Sequence, residues 1–442
     1  MDIVNVNVIK KLNEHTPDCI KKIFAPIIRR KLTNNRVFLS QYEEIKNFEV
    51  LSEEEKKKIK FQKLKETLCY AYENVEYYKE IFDKVNFNPY TFKSIEEFNV
   101  VPSIDKKEIN KNYEKFISTQ NIDYYNAQTG GTTGEPLVLF MDKDSIYKEK
   151  AFIYSHWSKL GYDFKKSKII TFRGIEFNNK IYKYNPIYNE IILSPFELNM
   201  ANIQEYIKII NDFNPEFIHG YPSAIVNLCK ILKEGRFVLK PQIKGVFIIS
   251  EELNVKDKKI IEEFFKCKTL SFYGHSERAV FAGEYNSNYT FNELYGYTEL
   301  ISTDKKDEFQ IVCTSFLNRK MPLIKYKTDD YVIIENNKKI IKGRESSLYL
   351  IGNNDEKISL ASKVFHNFTN DKIRAYQFIQ EEKGKADINI ISDILKPKEI
   401  DKMEKELNEN LRGSVKLKIN RVDNLILTGR GKKKILIQKI SS

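Results

Sequence analysis

The stretch from 168 to 272 constrains this chain most. Strand-like apolar runs at 168–173 (KIITFR), 216–219, 244–249 (KGVFII) and 268–272 alternate with helical runs at 201–212, 222–234 and 255–266. A strand that is apolar without alternation must be covered on both faces, which parallel sheets flanked by helices provide. Strands separated by helices of this length therefore predict βαβ units and a mostly parallel, buried sheet.

Other patterns flank this core. From Ser52 to about Val85 the sequence reads as helix: Ser52 can cap it, acidic residues fill the first turn, and Leu64, Leu68, Tyr72 and Val75 recur at helical spacing. A second helix is expected after Ser103-Ile104-Asp105, with Ser103 or Asp105 as its cap. A Gly/Thr-rich turn at 129–134 then precedes a strand at 136–141 and a helix from Asp144 to about Leu160. From 288 to 342 shorter strands are joined by turns such as Asp304-Lys305-Lys306-Asp307 and Asn336-Asn337, which suggests antiparallel or barrel-like structure. A boundary is expected near Gly343-Arg344. Beyond it, a helix at about 397–412 and strands at 386–392 and 414–421 form a small α+β unit. The expected fold is α/β: a large N-terminal domain (1–343, with 1–50 a variable helical extension) carrying parallel sheets and a small barrel-like part, then a C-terminal lid (344–442).

Composition narrows the class. The 442 residues suit two or three domains at roughly 100–200 residues each. With 41% hydrophobic and 30% charged residues and few Gly or Pro, the chain can bury a core without long low-complexity tracts. Its net charge of +12 is mostly lysine spread along the chain, and runs such as Glu55-Lys56-Lys57-Lys58 mix both signs. No groove-reading motif accompanies the charge, so nucleic acid is not an expected partner. A basic surface also suits ATP or another anion. Cys19, Cys69, Cys229, Cys267 and Cys313 form no CxxC pair, as expected of reduced thiols in a cytoplasmic protein. The N-terminus lacks a basic-then-apolar signal, and no run approaches about 20 apolar residues, so neither secretion nor a transmembrane segment is expected.

Five segments carry candidate chemistry. Thr129-Gly130-Gly131-Thr132-Thr133-Gly134 can point amides and hydroxyls at phosphate oxygens, or it is a plain Gly/Thr hairpin turn; it lacks the GK[ST] ending of P-loop proteins. In Ser271-Phe272-Tyr273-Gly274-His275-Ser276-Glu277, a carboxylate after a strand is placed to ligate Mg²⁺ on nucleotide phosphates, and Tyr273 can stack on a base. The alternative is an ordinary strand-to-helix turn, with His275 a packing residue. Met321 to Asp330 ends in an Asp that can accept ribose hydroxyls, or it is a solvated loop. Gly343-Arg344 is the fourth segment. Thr428-Gly429-Arg430-Gly431-Lys432-Lys433-Lys434 is the fifth, either a mobile lysine that neutralises transition-state charge or a solvated basic tail.

In this order and spacing the five segments resemble the adenylate-forming superfamily. Within it the chain is most similar to the phenylacetate–CoA ligase family, on the branch encoded in capsular-polysaccharide clusters. FIHGYPSAI (217–225), IISEEL (248–253), 271–300, PLIKYKTDD (322–330) and GRGKKKILI (429–437) carry the resemblance, which spans about 60–440. It implies that 129–134 close over the β,γ-phosphates of ATP, with Thr132 contributing to catalysis. Ser250, Glu251, Tyr273, Gly274, His275 and Ser276 would line the adenylate pocket. Glu277 would hold Mg²⁺ and Asp330 the ribose. Lys325 and Arg344 would contact the nucleotide, and Lys432 would be the adenylation lysine. The chain departs from the pattern at Lys325 (usually Arg), at Asp329 (usually Gly) and at Ser346-Ser347 (usually an acidic hinge). Cysteines that bind zinc in some relatives near the position of Tyr285 have no counterpart here.

The implied reaction is attack of a carboxylate on the α-phosphorus of ATP with release of pyrophosphate, then transfer of the acyl group. A thiol, coenzyme A above all, is the expected acceptor; an amine of a surface-polysaccharide sugar is the alternative. A catalytically weak nucleotide-binding or scaffold protein is the reading from another class. The small-molecule acid is not legible, and a homodimer is compatible with the sequence.

Overall fold

The computed structural model describes residues 35–128, 137–173, 180–249, 253, 255–342, 348–353, 357–360, 372–411, 413–428 and 433–440. These fall into two compact units, within Met1–Ser167, Pro186–Asn189 and Leu270–Ile341, and within Lys168–Asn185, Glu190–Thr269 and Lys342–Ser442.

In the first unit, the helix Glu53–Asn74 starts with a capping box. The Glu55 amide donates to Ser52 Oγ at 3.3 Å and the Ser52 amide donates to Glu55 Oε2 at 2.9 Å. The single helix expected to run to about Val85 is two. Val75 is extended (φ −132°, ψ 111°), and a new helix spans Glu76–Lys84. The cause is tertiary: the Asn74 carbonyl accepts from the Thr119 amide at 2.9 Å, and its side chain accepts from Gln120 Nε2 at 2.6 Å. Both helices feed one core, in which Leu64, Leu68, Tyr78 and Phe82 meet Met321, Leu323 and Tyr326. Asp105 caps the helix Lys106–Lys111 by accepting from the Glu108 amide.

The strands Tyr124–Gln128 and Val138–Asp142 pair antiparallel, with Gln128 opposite Val138, and so bracket the segment 129–136. The helix Ser145–Trp157 follows and presses His156 against Gly283, where a Cβ would come within 2.7 Å of the ring. The expected barrel-like part is a four-stranded antiparallel sheet, Gly296–Ser302, Glu308–Ser315, Tyr326–Glu335 and Lys338–Lys342 in that order, and no closed barrel forms among the described residues. Its tight turns hold Asp307, Asn336 and Asn337 at positive φ.

The second unit contains the buried sheet. Five strands lie in the order Tyr182–Asn185, Glu190–Leu193, Ile169–Phe172, Phe217–Gly220 and Gly245–Ile248, parallel except for the first. Ile169–Phe172 and Gly245–Ile248 are buried at every position, which is why their sequences do not alternate. The helices Ile203–Phe213, Pro222–Glu234 and Val255–Phe265 cover the sheet with Tyr206, Ile210, Leu228, Ile231 and Ile261. Gly220 has φ +152°, and a Cβ there would meet the Phe172 carbonyl oxygen of the neighbouring strand at 2.8 Å. Nearer the C-terminus a mixed sheet, Lys416–Arg421, Lys385–Ile391, Ala375–Glu382 and Leu436–Gln438, packs on the helix Pro397–Leu411 through Leu407 and Leu411.

Candidate functional site

The first unit brings the 271–277 and 322–330 segments together. The strand Lys268–Gly274 delivers Tyr273, whose hydroxyl donates to Asp330 Oδ2 at 2.7 Å. Burial, then the Asp330 charge, push that phenol well above its usual range, so it stays a donor. Asp330 sits on the strand Tyr326–Glu335, and its amide donates to Thr328 Oγ1 at 3.3 Å.

The turn after the strand Lys268–Gly274 places Glu277, which is 6% exposed. Its Oε2 lies 3.0 Å from His275 Nδ1, its Oε1 accepts from the Tyr326 hydroxyl at 3.3 Å, and Lys106 Nζ lies 3.9 Å away. Burial alone would raise this carboxyl. The neighbouring His275 ring, with Lys106 behind it, outweighs burial and holds the group down at about 2. Gly274 and Ser276 are exposed beside it. Glu277 is thus an ionised, hard oxygen donor. One such carboxylate suits a magnesium ion whose remaining ligands are phosphate oxygens and water. Among the described residues no group of three or more His, Cys, Asp or Glu forms a metal cage.

Arg278 fixes the turn. It has φ +47°, and its amide closes the turn onto the His275 carbonyl. Its Nε donates to Glu149 Oε2 at 2.7 Å and its Nη1 to Ser145 Oγ at 2.8 Å and to the Tyr125 hydroxyl. The turn bearing Glu277 is therefore tied to the strand Tyr124–Gln128 and to the helix Ser145–Trp157.

Sequence reasoning selected Tyr273, His275, Glu277 and Asp330, and the fold gathers all four. It also selected Lys325, whose ammonium turns elsewhere: 3.3 Å from Glu299 and 5.0 Å above the Phe98 ring, with the residue 5% exposed. Lys106, Arg278 and Tyr326 were missed. Lys106 carried a signal, since a lysine in the first turn of a helix opposes the helix dipole and calls for nearby carboxylates. The expected site residues Thr129, Gly130, Gly131, Thr132, Thr133, Gly134, Ser250, Glu251, Arg344 and Lys432 lie outside the described residues. Lys433 is described, with its ammonium 5.8 Å from the Tyr376 ring centroid. Cys313 is fully buried and its thiol is pushed up by burial, so it offers no thiolate nucleophile.

No protein-family model matches the chain. Protein CapK of Staphylococcus aureus is 24% identical over 452 residues, covering 96% of this chain and 98% of CapK. The phenylacetate-coenzyme A ligase of Escherichia coli (strain K12) is 23% identical over 298 residues, covering 64% of this chain and 68% of the ligase. A 2-hydroxyisobutyryl-CoA ligase, solved in the postadenylation state with R3-HIB-AMP, superposes with a TM-score of 0.63 at 14% identity, covering 88% of this chain and 90% of that one. No helix among the described residues is long and apolar enough to cross a membrane. By sequence the chain is similar to CapK and to phenylacetate-coenzyme A ligases, and it shares its fold with the 2-hydroxyisobutyryl-CoA ligase.

Proposed function

We propose that this protein is an ATP-dependent, AMP-forming ligase that activates a carboxylic acid as an acyl-AMP and passes the acyl group to a thiol, that of coenzyme A. The observation that carries the reading is the convergence in one unit of Tyr273–Asp330, suited to a ribose, and the ionised Glu277, suited to a metal–triphosphate. Kinship with coenzyme A ligases supports the class of reaction.

In this reading Asp330, oriented by Tyr273, accepts the ribose hydroxyls. Glu277, held charged by His275, would be the protein ligand for Mg²⁺ entering with ATP, and that ion would offset charge on the leaving pyrophosphate. The bracketed segment 129–134 is assigned to the β,γ-phosphates and Lys432 to the α-phosphoryl oxygens, both on the sequence pattern. The substrate carboxylate attacks the α-phosphorus in line, the α,β-bridging oxygen leaves with pyrophosphate, and no side-chain nucleophile takes part. A C-terminal domain beginning near 344 would act as the lid that presents Lys432 and then gives way to the acceptor. Action in the cytoplasm, where ATP and coenzyme A are abundant, fits this reading.

The sequence pattern also fits a second acceptor, on the capsular-polysaccharide branch that it resembles. An amine of a surface-polysaccharide sugar would then replace the thiol, with the first half-reaction unchanged.

The test is acid-dependent exchange of labelled pyrophosphate into ATP across a panel of carboxylic acids, followed by mass spectrometry of products formed with coenzyme A or amino sugars. Exchange with at least one acid, lost at least about 100-fold in Lys432→Ala, is expected. Absence of exchange with every acid, by a folded protein that also fails to bind ATP with magnesium, would sink the ligase reading and favour a scaffold role.

A further inference from the structure

Lys106 shares one positive charge between two carboxylates. Its Nζ lies 2.9 Å from Asp329 Oδ2 and 3.9 Å from Glu277 Oε1. Position 329 is glycine in the pattern the chain resembles and aspartate here. Asp329 is not among the residues at positive φ, so its backbone does not need glycine. The second carboxylate is thus a departure from that pattern, and Lys106 faces it.

Resting on the assignment of Glu277 as the metal-bearing carboxylate, we propose that Lys106 is a positioning residue, a resident cation that holds Glu277 and Asp329 until nucleotide arrives and so makes divalent-cation binding conditional on nucleotide. One ammonium within ion-pair reach of two carboxylates offsets their mutual repulsion. Glu277 is enclosed by His275, Tyr326 and Lys106, while Asp329 is 44% exposed at its side chain, so solvent and ions reach the pair from the Asp329 side. A hard divalent ion approaching from there meets an ammonium already in ion-pair contact with both carboxylates. Nucleotide changes the balance, because phosphate oxygens are strong alternative acceptors for a lysine ammonium. The four-carbon stem of lysine reorients without backbone movement. Once the ammonium is drawn to phosphate, Glu277 and Asp329 would be released together as oxygen donors for a divalent cation.

The experiment is titration of Mn²⁺ into the purified full chain without nucleotide, read by the electron paramagnetic resonance of the free aquo ion. Wild-type protein is expected to bind Mn²⁺ weakly alone and tightly once a non-hydrolysable ATP analogue is added. Lys106→Gln should bind Mn²⁺ without nucleotide at least about tenfold more tightly than wild type. Lys106→Arg, which keeps the charge, should behave as wild type. Adding Asp329→Gly or Glu277→Gln to Lys106→Gln should abolish the gain. Thermal melting of each variant establishes that it is folded. Identical nucleotide-free Mn²⁺ titrations for wild type and a folded Lys106→Gln would overturn the proposal, as would a gain that survives loss of both carboxylates. The two readings fail separately: the expected Mn²⁺ pattern without pyrophosphate exchange sinks the ligase, whereas exchange with an unchanged Mn²⁺ titration sinks the resident-cation role.

Discussion

At the scale of single residues, the site is built from groups that hold each other in one ionisation state. Tyr273 is held protonated by burial and by Asp330, and it gives Asp330 a fixed orientation through a 2.7 Å hydrogen bond. Removing the hydroxyl deletes a charge-assisted hydrogen bond but no packing volume of note. Such a bond is worth roughly 1.5–3 kcal/mol, about a ten- to hundredfold change in an equilibrium constant. Tyr273→Phe is therefore expected to raise KM for ATP by at least about tenfold, with kcat reduced less, because the ribose contact acts in ground and transition states alike. Steady-state kinetics with ATP varied would check this; a tenfold fall in kcat at unchanged KM would place Tyr273 at the chemistry instead.

At the scale of elements, much was legible because local patterns and tertiary structure agree. Within KIITFR and KGVFII, Ile169–Phe172 and Gly245–Ile248 become strands buried throughout, and Asp105 caps the helix expected after Ser103. The divergences have tertiary causes. Asn74 ends its helix because Thr119 and Gln120, distant in sequence, claim its carbonyl and side chain. Lys325 turns to Glu299 and Phe98, which no local rule foretells. His156 is a further case: on the helix Ser145–Trp157 it donates from Nε2 to the Ser271 carbonyl at 2.9 Å and packs on Gly283. Burial, then Lys159, depress its pKa to about 4 despite that carbonyl. A histidine buried neutral stabilises fully above its unfolded value near 6.5. Between 6.5 and 4 the unfolded chain binds the proton first, so stability falls with pH and levels off below about 4. The loss at this site is about 3 kcal/mol. His156→Gln keeps a donor without titrating. Urea melts at pH 4.5 and 7 should show a smaller pH-dependent loss for the variant than for wild type, and an equal loss would refute the assignment.

At the scale of the molecule, contacts join parts that lie far apart in sequence. Lys168–Asn185, Glu190–Thr269 and Lys342–Ser442 group into one compact unit, interleaved in sequence with the other. Which apolar faces find each other across such distances depends on shape and on specific polar ties, and neither has a periodic signature. One such tie is visible. Lys230, on the helix Pro222–Glu234, donates from Nζ to the Arg374 carbonyl at 2.7 Å, just before the strand Ala375–Glu382. Arg374 in turn pairs with Asp393 and, at 3.9 Å, with Glu234 of the same helix. Burial lowers the Lys230 pKa, with Asp257 opposing, so this ammonium has been taken out of water and depends on its partners. Lys230→Met keeps the apolar stem and removes the charge. The Arg374 carbonyl loses its donor at a cost of roughly 1–3 kcal/mol. If this contact couples the two sequence-distant parts, the amides of Ala375–Glu382 should exchange with deuterium about tenfold faster or more in the variant, while those of Phe217–Gly220 stay within about twofold of wild type. Equal acceleration in both segments would mean that the substitution destabilised the unit as a whole, and no change in either would mean that the bond couples nothing.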